Sequence, residues 1–176
     1  MSHNIAFRCV KLFPLLVFVA TTSSLAEDSV TTVLPTERMM VAVNRFRVTH
    51  GRNVLVHSDE LSEAARSHAD WIAGSRIYSH AGPNGEKTED RVKDTGYTAC
   101  AITEVLHMGS GLQDSVVSRW RDLEAMPTNP GRFWNQDTVD SLLMSGMTDF
   151  GSAGVLTSRD ERVWVAILAT PCEAGD

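Results

Sequence analysis

A chain of 176 residues, 43% apolar and 22% charged, is long enough to bury about 70% of its unfolded surface in one packed domain. Its formal net charge of −6, with no cluster of lysine or arginine, weighs against nucleic acid and anionic head groups as partners. Arg8 and Lys11 lie in the first 26 residues and no acid does, so the remainder is more acidic still.

Residues 1–26, "MSHNIAFRCVKLFPLLVFVATTSSLA", have the order of a signal peptide: a basic start, an apolar run from Leu12 to Ala20, and a small-residue exit at Ala26. That run is shorter than the roughly 20 residues a transmembrane helix needs. The expectation is a secreted or periplasmic protein with no transmembrane anchor. Cys9 precedes the apolar run and is not placed as a lipid-anchored cysteine would be. Residues 27–35 read as a polar arm ending at Pro35, and residues 36–176 as a single domain.

Thr36 is placed to cap a first helix, with Glu37 in its first turn. Met40, Val43 and Phe46, with Val41 and Val48 nearby, form its apolar stripe, and Gly51 stops it. "NVLVHS" is a short extended link. Ser58 then opens the strongest helical pattern of the chain, in which Leu61, Ala64, Ala65, His68, Trp71 and Ile72 share one face. His68 reads there as a hydrogen-bonded packing residue. His50 and His57, in or beside links, read as surface residues. "EKTEDRVKDTGY" predicts a shorter helix ended by Gly96, and residues 111–126 another, with Leu112, Val116, Trp120 and Leu123 aligned. Residues 127–140 read as loop, with two prolines and a glycine. "GSAGVLT" and "RVWVAILAT" around "SRDE" predict a hairpin. The second run alternates Val163, Val165 and Ile167 with Trp164, Ala166 and Leu168, so it should be a central strand covered by helices on both faces.

Beyond the leader two cysteines remain, Cys100 and Cys172. In an oxidising compartment one bridge is the expectation, worth about 4 kcal/mol through the closed loop. The alternative is a reactive free thiol. "SHAGPNG", at 79–85, sets His80 at the mouth of a glycine, proline and asparagine turn directly after the long helix.

Together these pieces resemble the CAP-domain proteins, the cysteine-rich secretory, antigen 5 and pathogenesis-related family with its bacterial relatives. The likeness rests on "VNRFRVTHGRNVLVHSDELSEAARSHADWIAGSRIYSHAG", with its Asn-x-x-Arg helix and Ser-His. It continues through "GPNGEKTEDRVKDTGY", "ITEVLHMG", "SVVSRW" and "DFGSAGV…RVWVAILAT". It implies an α+β fold, a three-layer α-β-α sandwich around a small antiparallel sheet. It also implies a groove in which one His/Glu pair faces a second. His80 matches the first histidine and Glu104 the first glutamate, with Gly109 at the glycine five residues later.

The chain departs from that pattern. Thr103 and Val105 replace the glycine and asparagine that flank the glutamate. Asn129-Pro130-Gly131-Arg132 stands for Ser-Pro-Gly-His-Arg, without its histidine, and aligning on Leu142-Leu143 puts Thr138 there instead. His107 follows Glu104 by three residues, on the same face in a helix and on the opposite face in a strand. Hence the candidate groove residues are His80, Glu104 and His107, and the candidate metal ligands are His80 and Glu104. No cofactor is firmly implied beyond a weak zinc-like divalent ion, since a structural zinc normally takes four protein ligands.

Three functions follow from the resemblance. One is a non-enzymatic binding module for a small apolar ligand, peptide or partner protein. The second is a metal-assisted hydrolase with His80 as base and Glu104 as its orienting carboxylate. The third is a structural envelope protein with a vestigial groove. No Gly-x-Ser-x-Gly or His-Glu-x-x-His motif supports the second.

Overall fold

The computed structural model describes residues 32–34, 36–109 and 136–172. Five strands and four α-helices occur there. They are β1 (Thr32–Leu34), α1 (Glu37–Thr49), β2 (Val56–His57), α2 (Asp59–Ser75), α3 (Thr88–Asp94), β3 (Ala99–Gly109), α4 (Gln136–Leu142), β4 (Asp149–Leu156) and β5 (Arg162–Pro171). No helix among the described residues is long and apolar enough to cross a membrane.

The alternation along β5 decides the architecture. Trp164, Ala166 and Leu168 pack with Met39, Val43 and Phe46 of α1 and with Val139 and Leu142 of α4. Val163, Val165, Ile167 and Ala169 point the other way, against Leu61, Ala64, Ala65, Ala69 and Ile72 of α2 and Val92 of α3. From Val163 to Ala169 neither face of β5 reaches solvent, as expected of a strand apolar on both sides. The result is an α+β sandwich of three layers, with helices on either side of one sheet.

Strand order is β1-β4-β5-β3, with β2 also pairing to β4. The main pairings are antiparallel, as the resemblance implies, but Val56↔Asp149 and His57↔Phe150 run parallel and make the sheet mixed. The strand β1 lies within residues 27–35, read from sequence as a polar arm; instead it pairs with the end of β4, Thr32 opposite Leu156. The segment 127–140, read as loop, ends in α4. Val139 and Leu142, three residues apart, turn that short helix onto the core. The helix expected at 111–126 lies outside the described residues.

Several local signals act as read. Ser58 caps α2, its hydroxyl accepting the Leu61 N–H at 3.1 Å. Thr36 makes no side-chain cap; its carbonyl takes the Met39 and Met40 N–H groups instead. Gly96 follows α3 with φ of 91°, a left-handed conformation that costs glycine little. The Asn-x-x-Arg pair of α1 is architectural. Asn44 exchanges two hydrogen bonds with the Leu55 backbone. The buried Arg47 guanidinium donates to the carbonyls of Asn53, Leu142 and Met144, tying the link after α1 to the end of α4. A Cys100–Cys172 disulfide joins the start of β3 to the end of β5, so the free-thiol alternative does not hold.

Candidate functional site

α2 ends where Arg76 adopts φ of 63°, and the chain then runs through Ile77-Tyr78-Ser79-His80 toward the 3-10 turn Pro83–Gly85. That turn needs left-handed backbone at Asn84 and Gly85, two residue types that tolerate it. Its geometry leaves the His80 side chain 63% exposed above β3. Below it Glu104 is 2% exposed at the side chain. The His80 Nδ1 and Glu104 Oε1 lie 2.8 Å apart, so the pair expected from sequence does meet. A carboxylate only accepts, hence Nδ1–H donates and the lone pair of the neutral ring sits on Nε2.

The second oxygen of Glu104 is also engaged. Arg91 Nη2, from α3, donates to Oε2 at 2.7 Å, and both side chains are almost fully buried. The same nitrogen reaches the His80 carbonyl at 3.2 Å and Thr88 Oγ1 at 3.1 Å. One nitrogen of the α3 side chain thus ties together Glu104, the His80 carbonyl and Thr88. His68, from α2, places Nε2 2.8 Å from the Ser79 carbonyl and 3.8 Å from Glu104 Oε1. Burial above all, with Arg91 adding to it against the pull of Glu104, holds the His68 pKa below the ordinary histidine value. Tyr78 donates its hydroxyl to the Leu106 carbonyl at 2.8 Å. Burial, then the charge of Glu104, pushes its pKa up to about 12, so the phenol stays protonated.

His107 does not join this group. β3 is extended, and His107 opposes Trp164 while Glu104 opposes Ile167. Those two β5 residues point to opposite faces of the sheet, so His107 belongs to the α1 and α4 side. The exposed His50 and His57 stay local, His50 on the Phe46 carbonyl and His57 on Asp59.

Arg91 is the member that reading the sequence did not bring to the site. One signal was available for Arg91: Thr88, Arg91, Val92 and Thr95 share the inward face of a short helix. His68 was read as a buried, hydrogen-bonded residue, and its bond to the Ser79 carbonyl agrees.

The donors do not fit a tightly held divalent ion. Glu104 spends one oxygen on His80 and the other on Arg91, and a guanidinium at 2.7 Å repels a cation. His80 Nε2 is the nitrogen left over. Among the described residues no three His, Cys, Asp or Glu side chains are grouped to hold a metal.

With this geometry in view, a sequence profile of the cysteine-rich secretory protein family, CAP, matches residues 40–168. The chain belongs to the CAP family. No curated protein sequence matches it. The fold is similar to that of an outer surface protein of Borrelia burgdorferi, with a TM-score of 0.67 and 15% identity over 81% of this chain and 100% of that one. It is also similar to an extracellular SCP-domain protein of Bacillus anthracis, with a TM-score of 0.58 and 14% identity. That match covers 75% of this chain and 39% of the Bacillus protein. At such identities the likeness is one of fold.

The His80–Glu104 contact falls where the resemblance sets the first His/Glu pair. Thr138, at the alternative position of the second histidine, sits in α4, whose Val139 and Leu142 pack on the α1 face and away from Glu104. Residues 129–132 lie outside the described residues.

Proposed function

We propose that the protein is an exported, non-enzymatic CAP module that uses the outward nitrogen of His80 to hold a peptide or a small apolar ligand. One observation carries this reading. Both Glu104 oxygens are engaged, one by His80 and the other by Arg91, so the cluster presents His80 Nε2 outward as an oriented acceptor. Exposed Ile77 and Tyr78 precede it in the same loop and supply apolar surface beside that acceptor. An N–H or O–H donor on an otherwise apolar ligand is the chemistry such a surface selects. Export is supported by the leader-like residues 1–26 and by the disulfide. The outer-surface and extracellular descriptions of the two similar structures point the same way.

The hydrolase reading draws on the 2.8 Å His80–Glu104 contact, the arrangement of a base and its orienting carboxylate. That reading also needs a nucleophile or an activated water within hydrogen-bond reach. The Ser79 hydroxyl accepts the Ala81 N–H at 3.0 Å, and Cys100 and Cys172 are bonded to each other. Native mass spectrometry of the protein from its own host tests the binding reading. A retained small molecule or peptide, reduced at least tenfold in His80→Ala, is the expected result. An unliganded mass with a stoichiometric protein partner, unchanged in His80→Ala, overturns it in favour of a scaffolding role.

A further inference from the structure

The histidine buried in α2 has a geometry that packing does not explain. His68 is 1% exposed, and its ring stacks on Trp71 with centroids 5.5 Å apart. Phenylalanine would fill that place. His68 Nε2, however, lies 2.8 Å from the Ser79 carbonyl, and a carbonyl only accepts, so Nε2 carries the hydrogen. The other nitrogen, Nδ1, is then a bare acceptor, fully buried and without a partner among the described residues. Leaving a polar atom so is unfavourable, and a purely apolar ring would avoid it.

The Ser79 bond belongs to a set of three. Around the exposed His80, three elements each fix one point: β3 through Glu104 on the ring, α3 through Arg91 on the His80 carbonyl, and α2 through His68 on the carbonyl before it. The two peptide units that bracket His80 are thus held by side chains from two helices.

We propose that His68 is a positioning residue: locked as the neutral Nε2–H tautomer, it holds the Ser79 carbonyl so that His80 keeps Nδ1–H on Glu104 and Nε2 outward. The proposal rests on the reading of His80 Nε2 as the ligand-facing atom, but its test needs no ligand.

Long-range proton–nitrogen correlation spectra of 15N-histidine-labelled, ligand-free protein at pH 7.5 report each ring's tautomer, with assignments from His80→Ala and His68→Gln. The wild type is expected to show His68 as Nε2–H and His80 as Nδ1–H. In His68→Phe, which keeps the volume and removes the donor, His80 should lose its single Nδ1–H pattern and show mixed tautomers. His68→Gln restores a donor near the place of Nε2 and should restore the wild-type pattern. A wild-type His68 in the Nδ1–H form overturns the proposal, as does a His80 pattern unchanged in folded His68→Phe. Should His68→Phe not fold, the wild-type tautomer of His68 and the His68→Gln spectrum still decide. These spectra can fail while ligand retention stands, and the reverse, so the two readings fall separately.

Discussion

Glu104 is a carboxylate at 2% side-chain exposure, and what keeps it there is Arg91. Removing one member of a buried pair leaves the other charge uncompensated, which costs about 3–5 kcal/mol. Arg91→Met is therefore expected to lower stability by that amount in urea unfolding. His80→Ala, at a ring that is 63% exposed, should lower it by less than about 1 kcal/mol. A pH effect follows from His68. Its folded pKa lies below the unfolded value of about 6.5, so the unfolded chain takes up a proton that the folded one refuses. The stabilisation is complete above about pH 6.5 and is lost as pH falls from there toward the folded pKa. Urea midpoints of wild type and His68→Gln at pH 7.5 and 5.0 should converge at the lower pH, and a constant difference would contradict this. Of these residues His80 and Glu104 were legible only through the CAP resemblance, and His68 as a buried, hydrogen-bonded position from helical spacing. His80 and Glu104 are 24 residues apart and Arg91 reaches them from a third element, a non-local meeting that local periodicity does not encode.

At the scale of elements, the strongly periodic segments were the readable ones. α2 and the β4–β5 hairpin follow their apolar patterns, and β5 lies central as its two-faced apolarity requires. β3 carries a weaker pattern because Glu104 and His107, both buried, interrupt an apolar run with polar side chains. α4 was hidden by the prolines before it and by its length of two turns. Two joins between elements carry testable weight. Gly151 of β4 lies so close to the Leu61–Ser62 backbone of α2 that an added methyl overlaps it. Gly151→Ala should therefore destabilise by about 3 kcal/mol, at the upper end of overpacking, read by thermal and urea unfolding. The Cys100–Cys172 bond closes a sequence separation of 72 residues and clamps β3 to β5 four residues from Glu104. Its reduction is expected to lower stability by about 4 kcal/mol, measured as the shift of the urea midpoint with and without dithiothreitol.

Across the whole molecule, the sheet separates two layers with different duties. The α1 and α4 face holds a core and the Asn44 and Arg47 ties, while the α2 and α3 face holds the second core and the His80 cluster. The three-layer plan was legible because β5 must be covered twice. The parallel β2 pairing and the addition of β1 were not, since strands of two and three residues carry too little pattern. The central claim concerns what the His80 cluster is for: an oriented acceptor held by a carboxylate engaged on both oxygens. Hydrolysis of a panel of activated esters and peptides, with and without added zinc, tests it most directly in wild type and His80→Ala. The account predicts equal background turnover in the two proteins, with or without zinc. Turnover at least tenfold above background in the wild type and lost in His80→Ala would contradict it.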